Sequence, residues 1–182
     1  MAVGFPPRGL KEERMTERDL DKAAEEAGSP ACSMREAEDA YMGYATRDEL
    51  SLFLNQLLEA GRAGARVTLE TARDAGSGAL AELMLAIQRD EARWCAMLTR
   101  QLKALGATPS TQTGAFYGKA MAIADLPERL TFLNRGQGWV VRKLREMLPR
   151  VRANALHADL AEMLRSHEAN IAKASEVAGR AP

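Results

Sequence analysis

Residues 80–105 read LAELMLAIQRDEARWCAMLTRQLKAL, a helical stripe with one position out of place. At about 100° per residue, Leu80, Met84, Ile87, Leu98, Leu102 and Leu105 fall on a single face, and Glu91 stands at its centre. A carboxylate there replaces a core leucine. Buried without a partner it costs several kcal/mol, so Glu91 needs a metal, a hydrogen-bonding side chain or a trapped water.

The flanking sequence supplies three more helices. Upstream, Thr46, Arg47, Asp48 and Glu49 have the spacing of a capping box. Leu50, Phe53, Leu54, Leu57, Gly61, Gly64, Ala65, Thr68 and Ala72 then form the stripe of a helix running to about residue 74. Gly76, Ser77 and Gly78 break it, and so short a link turns the 80–105 helix back antiparallel, with Gly106 at its end. Downstream, TPSTQTG at 108–114 is turn chemistry and AFYGKAMAI at 115–123 holds one or two helical turns, a connection long enough to span a bundle. Asp125 as cap, Pro127 in the first turn and Glu128 at the capping-box position restart a helix. Its stripe is Leu126, Leu130, Leu133, Gln137, Val141, Leu144 and Leu148. Pro149 ends it, and a fourth helix over 154–177 carries Leu156, Leu160, Met163, His167, Ile171 and Ala174.

No strand alternation or internal repeat competes with this pattern. The expectation is an all-α, antiparallel four-helix bundle over residues 46–177, with a long crossover between the second and third helices. Residues 1–45, rich in charge, Gly and Pro, are expected as a poorly ordered arm with a short helix over 16–28, pinned to the domain by Tyr41 and Tyr44. Residues 178–182 form a tail.

Each helix leaves its apolar stripe once, near its own middle: Gly61 between 48 and 74, Glu91 between 77 and 105, Gln137 between 126 and 147, His167 between 154 and 177. Midpoints of antiparallel helices share a level, so at about 1.5 Å per residue Glu91, Gln137 and His167 are expected to converge. Gly61 leaves a gap opposite them.

Two helical hairpins joined by a long crossover, with inward polar residues at mid-height, resemble the ferritin-like superfamily. Within it, DEARWCAML (90–98), LNRGQGWVVRKLREMLPR (133–150) and SHEANI (166–171) are similar to a bacterial ferritin-like family with no established activity. The superfamily's di-iron members draw a Glu from each of two helices and a Glu-x-x-His from each of the other two. Residue by residue, the resemblance implies a degenerate site. Glu91 matches the Glu of a second-helix motif whose His position is Trp94, and His167 matches the His of a fourth-helix motif whose Glu position is Leu164. Gln137 and Gly61 stand where the remaining Glu ligands belong. Iron needs more carboxylate charge than one Glu supplies, so a working di-iron oxidase is not expected from this chain alone.

Three readings of the centre follow. In the first, which the residue types favour, no cofactor is bound: Glu91 fixes the imidazole of His167, Gln137 completes the hydrogen bonds, and the protein is a structural or interaction module. In the second, Glu91, His167 and Gln137 hold one Fe, Mn or Zn, with the missing ligands of a metal-dependent oxidoreductase coming from water, substrate or another chain. In the third, the space beside Gly61 is a pocket for a small ligand, walled by Trp94, Met84 and Met163. Cys95 is expected as a small hydrophobe, reduced like Cys32, and His157 as solvated. Trp139 and Phe132 lie on the face opposite Gln137 and call for a second cover, from the crossover or from a second copy in a homodimer.

Twenty-five basic and twenty-five acidic residues cancel, and 46% apolar content in 182 residues builds one core. No charge run points to nucleic acid, and the local cluster of Arg142, Lys143, Arg145, Arg150 and Arg152 reads as a solvated helix end. No membrane span or signal segment occurs, so a cytoplasmic protein is expected. Gly-rich phosphate loops, nucleophile elbows, paired-cysteine motifs and HExxH are absent, leaving nucleotide hydrolysis, Ser or Cys hydrolysis and zinc proteolysis without support.

Overall fold

The computed structural model describes residues 41–178, which fall in one compact unit, Asp39–Pro182, and every regular element among them is helical. The helix expected over 16–28 and Cys32 lie outside the described residues. The protein is all-α.

Helix α1, Arg47–Ala75, opens on a complete capping box: Thr46 Oγ1 accepts from Glu49 N at 3.2 Å, and Glu49 Oε2 accepts from Thr46 N at 2.8 Å. Gly76 and Gly78, at φ +70° and +92°, carry the chain through the tight link. Helix α2, Ala79–Ala104, ends in a Schellman motif: Gly106 N donates to Lys103 O, Ala107 N to Leu102 O, and Gly106 takes the φ of +68° that the motif requires. Helix α3 is the short Phe116–Met121. Helix α4, Leu126–Met147, is capped by Asp125 Oδ1 accepting from Glu128 N at 2.8 Å, and runs into a 3-10 turn, Leu148–Arg150, at Pro149. Helix α5 is Asn154–Ala178.

Side-chain contacts set the helix directions. Arg47 Nε donates to Leu105 O while Gly64 faces Glu91, so α2 retraces α1. Gln101 meets Asp159 and Asp90 meets Asn170, so α5 runs against α2. Arg150 pairs with Glu49 and Arg129 with Asp74, which sets α4 against α1. The stripes face inward as two clusters, one around Leu54, Leu98, Leu144 and Leu160, the other around Val67, Met84, Ile87 and Leu133. Each fully buried leucine contributes about 1.5–3 kcal/mol. Glu91, Gln137 and His167 each lie in sequence between the members of one cluster and those of the other on their helix, and on α1 the same place is taken by Gly61 and Gly64.

The connection from α2 to α4 lies along α1 and is bound to it. Asn55 Oδ1 accepts from Ser110 N, Glu59 O accepts from Gly114 N, and Arg62 donates to the Ser110 carbonyl. It ends on α4, where Phe116 stacks on Phe132 with centroids 4.9 Å apart. The cover that Phe132 calls for thus comes from within the chain. Gly136 makes this possible, since a Cβ there would lie 2.8 Å from the Phe116 ring.

At the amino-terminal edge the packed residues reach one position further back than the capping box. Packing begins before Thr46: Ala45 is buried and its N–H donates to Arg150 O at 2.9 Å. Tyr41 is 90% exposed and Tyr44 is half-buried beneath the Arg152 guanidinium; the arm they were expected to hold lies outside the described residues through residue 40.

Candidate functional site

Glu91, Gln137 and His167 come together where the two hydrophobic clusters part, and all three are buried. Gln137 Nε2 donates to Glu91 Oε1 at 2.8 Å, and His167 Nε2 stands 3.7 Å from the same oxygen. That separation is too long for a hydrogen bond, so the carboxylate does not fix the imidazole as the first reading has it. The ring is held by its own helix, with Nδ1 2.9 Å from the Met163 carbonyl one turn back. A carbonyl only accepts, so Nδ1 carries the proton and Nε2 of the neutral ring presents a lone pair.

Helix α1 contributes by having no side chains here. A Cβ on Gly64 would lie 3.1 Å from Glu91 Oε1, and one on Gly61 would lie 3.0 Å from Cys95 Sγ and 3.4 Å from Glu91 Oε2. Gly64 therefore makes room for the carboxylate, and Gly61 chiefly for the Cys95 thiol. Burial pushes the Glu91 carboxyl up to about 8, with Asp90 adding to the rise and the Gln137 hydrogen bond opposing it. Burial also lowers the His167 imidazole against the pull of the Met163 carbonyl and Asp90. Cys95, pushed to about 11 by burial and by Glu91, is a packed thiol rather than a nucleophile.

Among the described residues, four buried side-chain oxygens or nitrogens make no hydrogen bond, and three of them are Glu91 Oε2, Gln137 Oε1 and His167 Nε2. Each costs about 1–3 kcal/mol if left so. The three residues share the wall of a cavity of about 320 Å³ with Gly61, Gly64 and Met163. It extends from the polar level between α1 and α4, beneath the crossover, to Phe116 and Trp139.

The sequence pattern of a family described as a domain of unknown function, DUF6306, matches residues 48–176. The chain belongs to the DUF6306 family. No curated protein and no solved structure matches it.

In this DUF6306 chain, two residues expected in the wall beside Gly61 are elsewhere. Trp94 is three residues past Glu91, about 60° around the helix toward α5, where its Nε1 donates to Ser166 Oγ at 3.3 Å and Arg93 lies over its ring. Met84 is two turns from Glu91, about 10 Å along the axis, inside the second hydrophobic cluster. Trp94 instead belongs to a polar seam in which Asp90 Oδ2 accepts from Ser166 Oγ and Asn170 Nδ2.

Other residues of the site were missed by the sequence reading. Gly64 and Gly136 were visible as glycines on or beside a stripe. Trp139 stood out as a ring wanting cover on the face opposite Gln137, and the structure instead puts both in the wall of one cavity. Glu59 and Phe116 carried no signal, because the path of the crossover is what brings them to the cavity. The basic cluster of α4 is largely neutralised on the surface, with Lys143 on Glu146, Arg145 on Glu168 and Arg150 on Glu49. His157 is exposed, and no described helix is long and apolar enough to cross a membrane.

Proposed function

We propose that this chain is a ferritin-like, antiparallel four-helix bundle that has lost di-iron chemistry and works as a non-catalytic, cytoplasmic binding module for a small molecule. The observation that carries the reading is the cavity beside Gly61, where three buried polar atoms without partners share one largely apolar wall. Its volume lies at the lower end of the roughly 300–1,000 Å³ typical of ligand sites, which combine apolar walls with a few placed polar groups.

The donor set does not fit a di-iron cluster. Gly61, Gln137, Trp94 and Leu164 stand at the positions of lost ligands, and among the described residues no group of three or more His, Cys, Asp or Glu side chains is arranged to hold a metal. No chemical step is derived through iron.

The test is binding of a neutral aromatic probe, indole, followed by thermal denaturation. At about 100 times Kd the gain is about 2.7 kcal/mol, a rise of roughly 5–10 °C for a domain of this size. Ala60→Phe, which places a ring in the cavity, abolishes the rise while the variant still unfolds cooperatively. A rise unchanged by Ala60→Phe, or no rise at all, sinks the proposal.

One observation favours a second reading. Metal-ligating histidines usually donate their other N–H to a carbonyl or carboxylate, as His167 does toward Met163. A single Fe, Mn or Zn on Glu91, His167 and Gln137 is therefore the alternative. Stoichiometric metal in purified protein, lost in Glu91→Ala or His167→Ala, would establish it.

A further inference from the structure

We propose that the ligand of this cavity is a primary ammonium on a small aromatic or aliphatic body, an assignment that rests on the small-molecule reading above. With Glu91 ionised, the three orphaned atoms are a carboxylate oxygen, an amide oxygen and an imidazole lone pair. That is three acceptors and no donor. A primary ammonium brings three N–H donors and one positive charge, so it satisfies all three atoms and balances Glu91 at once. An alcohol brings one donor and leaves two atoms orphaned. A carboxylate brings none and adds a like charge.

The wall agrees with a cation. It holds two carboxyl groups, Glu59 and Glu91, and among the described residues lining it none is Lys or Arg. Phe116 and Trp139 line the wall and give an apolar body aromatic surface to pack on. The surrounding charges leave the same balance. From α1, Arg62 reaches outward to the Ser110 and Gln112 carbonyls, and Glu59 accepts from Ser110 Oγ. From α2, Asp90 and Cys95 flank Glu91, and α5 supplies His167 as a neutral ring; α4 presents Gln137 and no titratable group to the cavity.

Isothermal titration of the full-length protein with 2-phenylethylamine, 2-phenylethanol and phenylacetate at pH 7 tests the assignment. The amine is expected to bind about ten- to a hundredfold tighter than the alcohol, with the acid weakest. Glu91→Gln is expected to remove the amine's advantage over the alcohol. Equal or tighter binding of the alcohol or the acid overturns the ammonium assignment and leaves the pocket standing. An amine preference that survives Glu91→Gln overturns it too. If none of the three probes binds, the pocket reading falls as well.

Discussion

Glu91 and His167 titrate in opposite senses, and the balance gives the protein a particular pH profile. Unfolded Glu91 loses its proton near 4.5 and folded Glu91 near 8, so between these values the folded state holds the extra proton. Its stabilising contribution is complete below 4.5 and is lost as pH rises toward 8. For His167 the folded ring stays neutral while the unfolded ring charges below 6.5, so stability is lost as pH falls through that range. Below 6.5 the two slopes oppose each other; above it Glu91 acts alone. Urea midpoints measured across pH are expected to show stability falling by about 1.4 kcal/mol per unit from roughly pH 6.5 to 8, and Glu91→Gln is expected to flatten that decline. A second test uses glycine. Gly64→Ala adds a Cβ 3.1 Å from a carboxylate oxygen that Gln137 already pins, so it is expected to lose about 1–2 kcal/mol despite better helix propensity. Gly118→Ala, on the exposed face of α3 with nothing within 4 Å, is expected to gain about 0.5–1 kcal/mol. If both changes have the same sign in chemical denaturation, the glycine of α1 is not there for the carboxylate.

The four long helices and the crossover are held by different means. The helices bury leucine-rich stripes on either side of the polar level, whereas the crossover is fastened by hydrogen bonds to α1, by the Phe116–Phe132 stack on α4 and by the buried Ala120. Phe116→Ala removes that stack and is expected to cost about 2–3 kcal/mol. In hydrogen exchange the amides of 108–123 should then open well before those of α1, α2, α4 and α5. Uniform loss of protection across all helices would show that the crossover is part of the cooperative core. The sequence offered the crossover as one of two covers for Phe132, but its course along α1 was not legible beforehand. The turn residues of 108–114 announced an irregular segment and Phe116 looked like one more apolar residue, because which helix a loop lies on depends on groups far away in the chain.

Across the whole molecule, a polar level divides one core into two, and that division costs stability. Buried polar groups replaced by apolar ones of similar size often gain about 1–4 kcal/mol. The triple variant Glu91→Met, Gln137→Leu, His167→Leu is therefore expected to raise the urea midpoint and at the same time abolish 2-phenylethylamine binding. A stable triple variant that still binds the amine would remove the site from the polar level. Such a trade of stability for a site is the pattern expected of a functional centre.

Sequence alone determined the helices, their ends and the depth at which Glu91, Gln137 and His167 sit. Periodicity, caps and rise per residue are local properties, and a count of residues along each rod carries them in full. Only the tertiary structure decided that His167 leans on Met163 rather than on Glu91, that Trp94 turns toward α5, and that the space beside Gly61 and Gly64 runs out under the crossover to Phe116 and Trp139. Those outcomes depend on side-chain direction and on the packing of segments distant in sequence. A residue's register along its own helix does not contain that information.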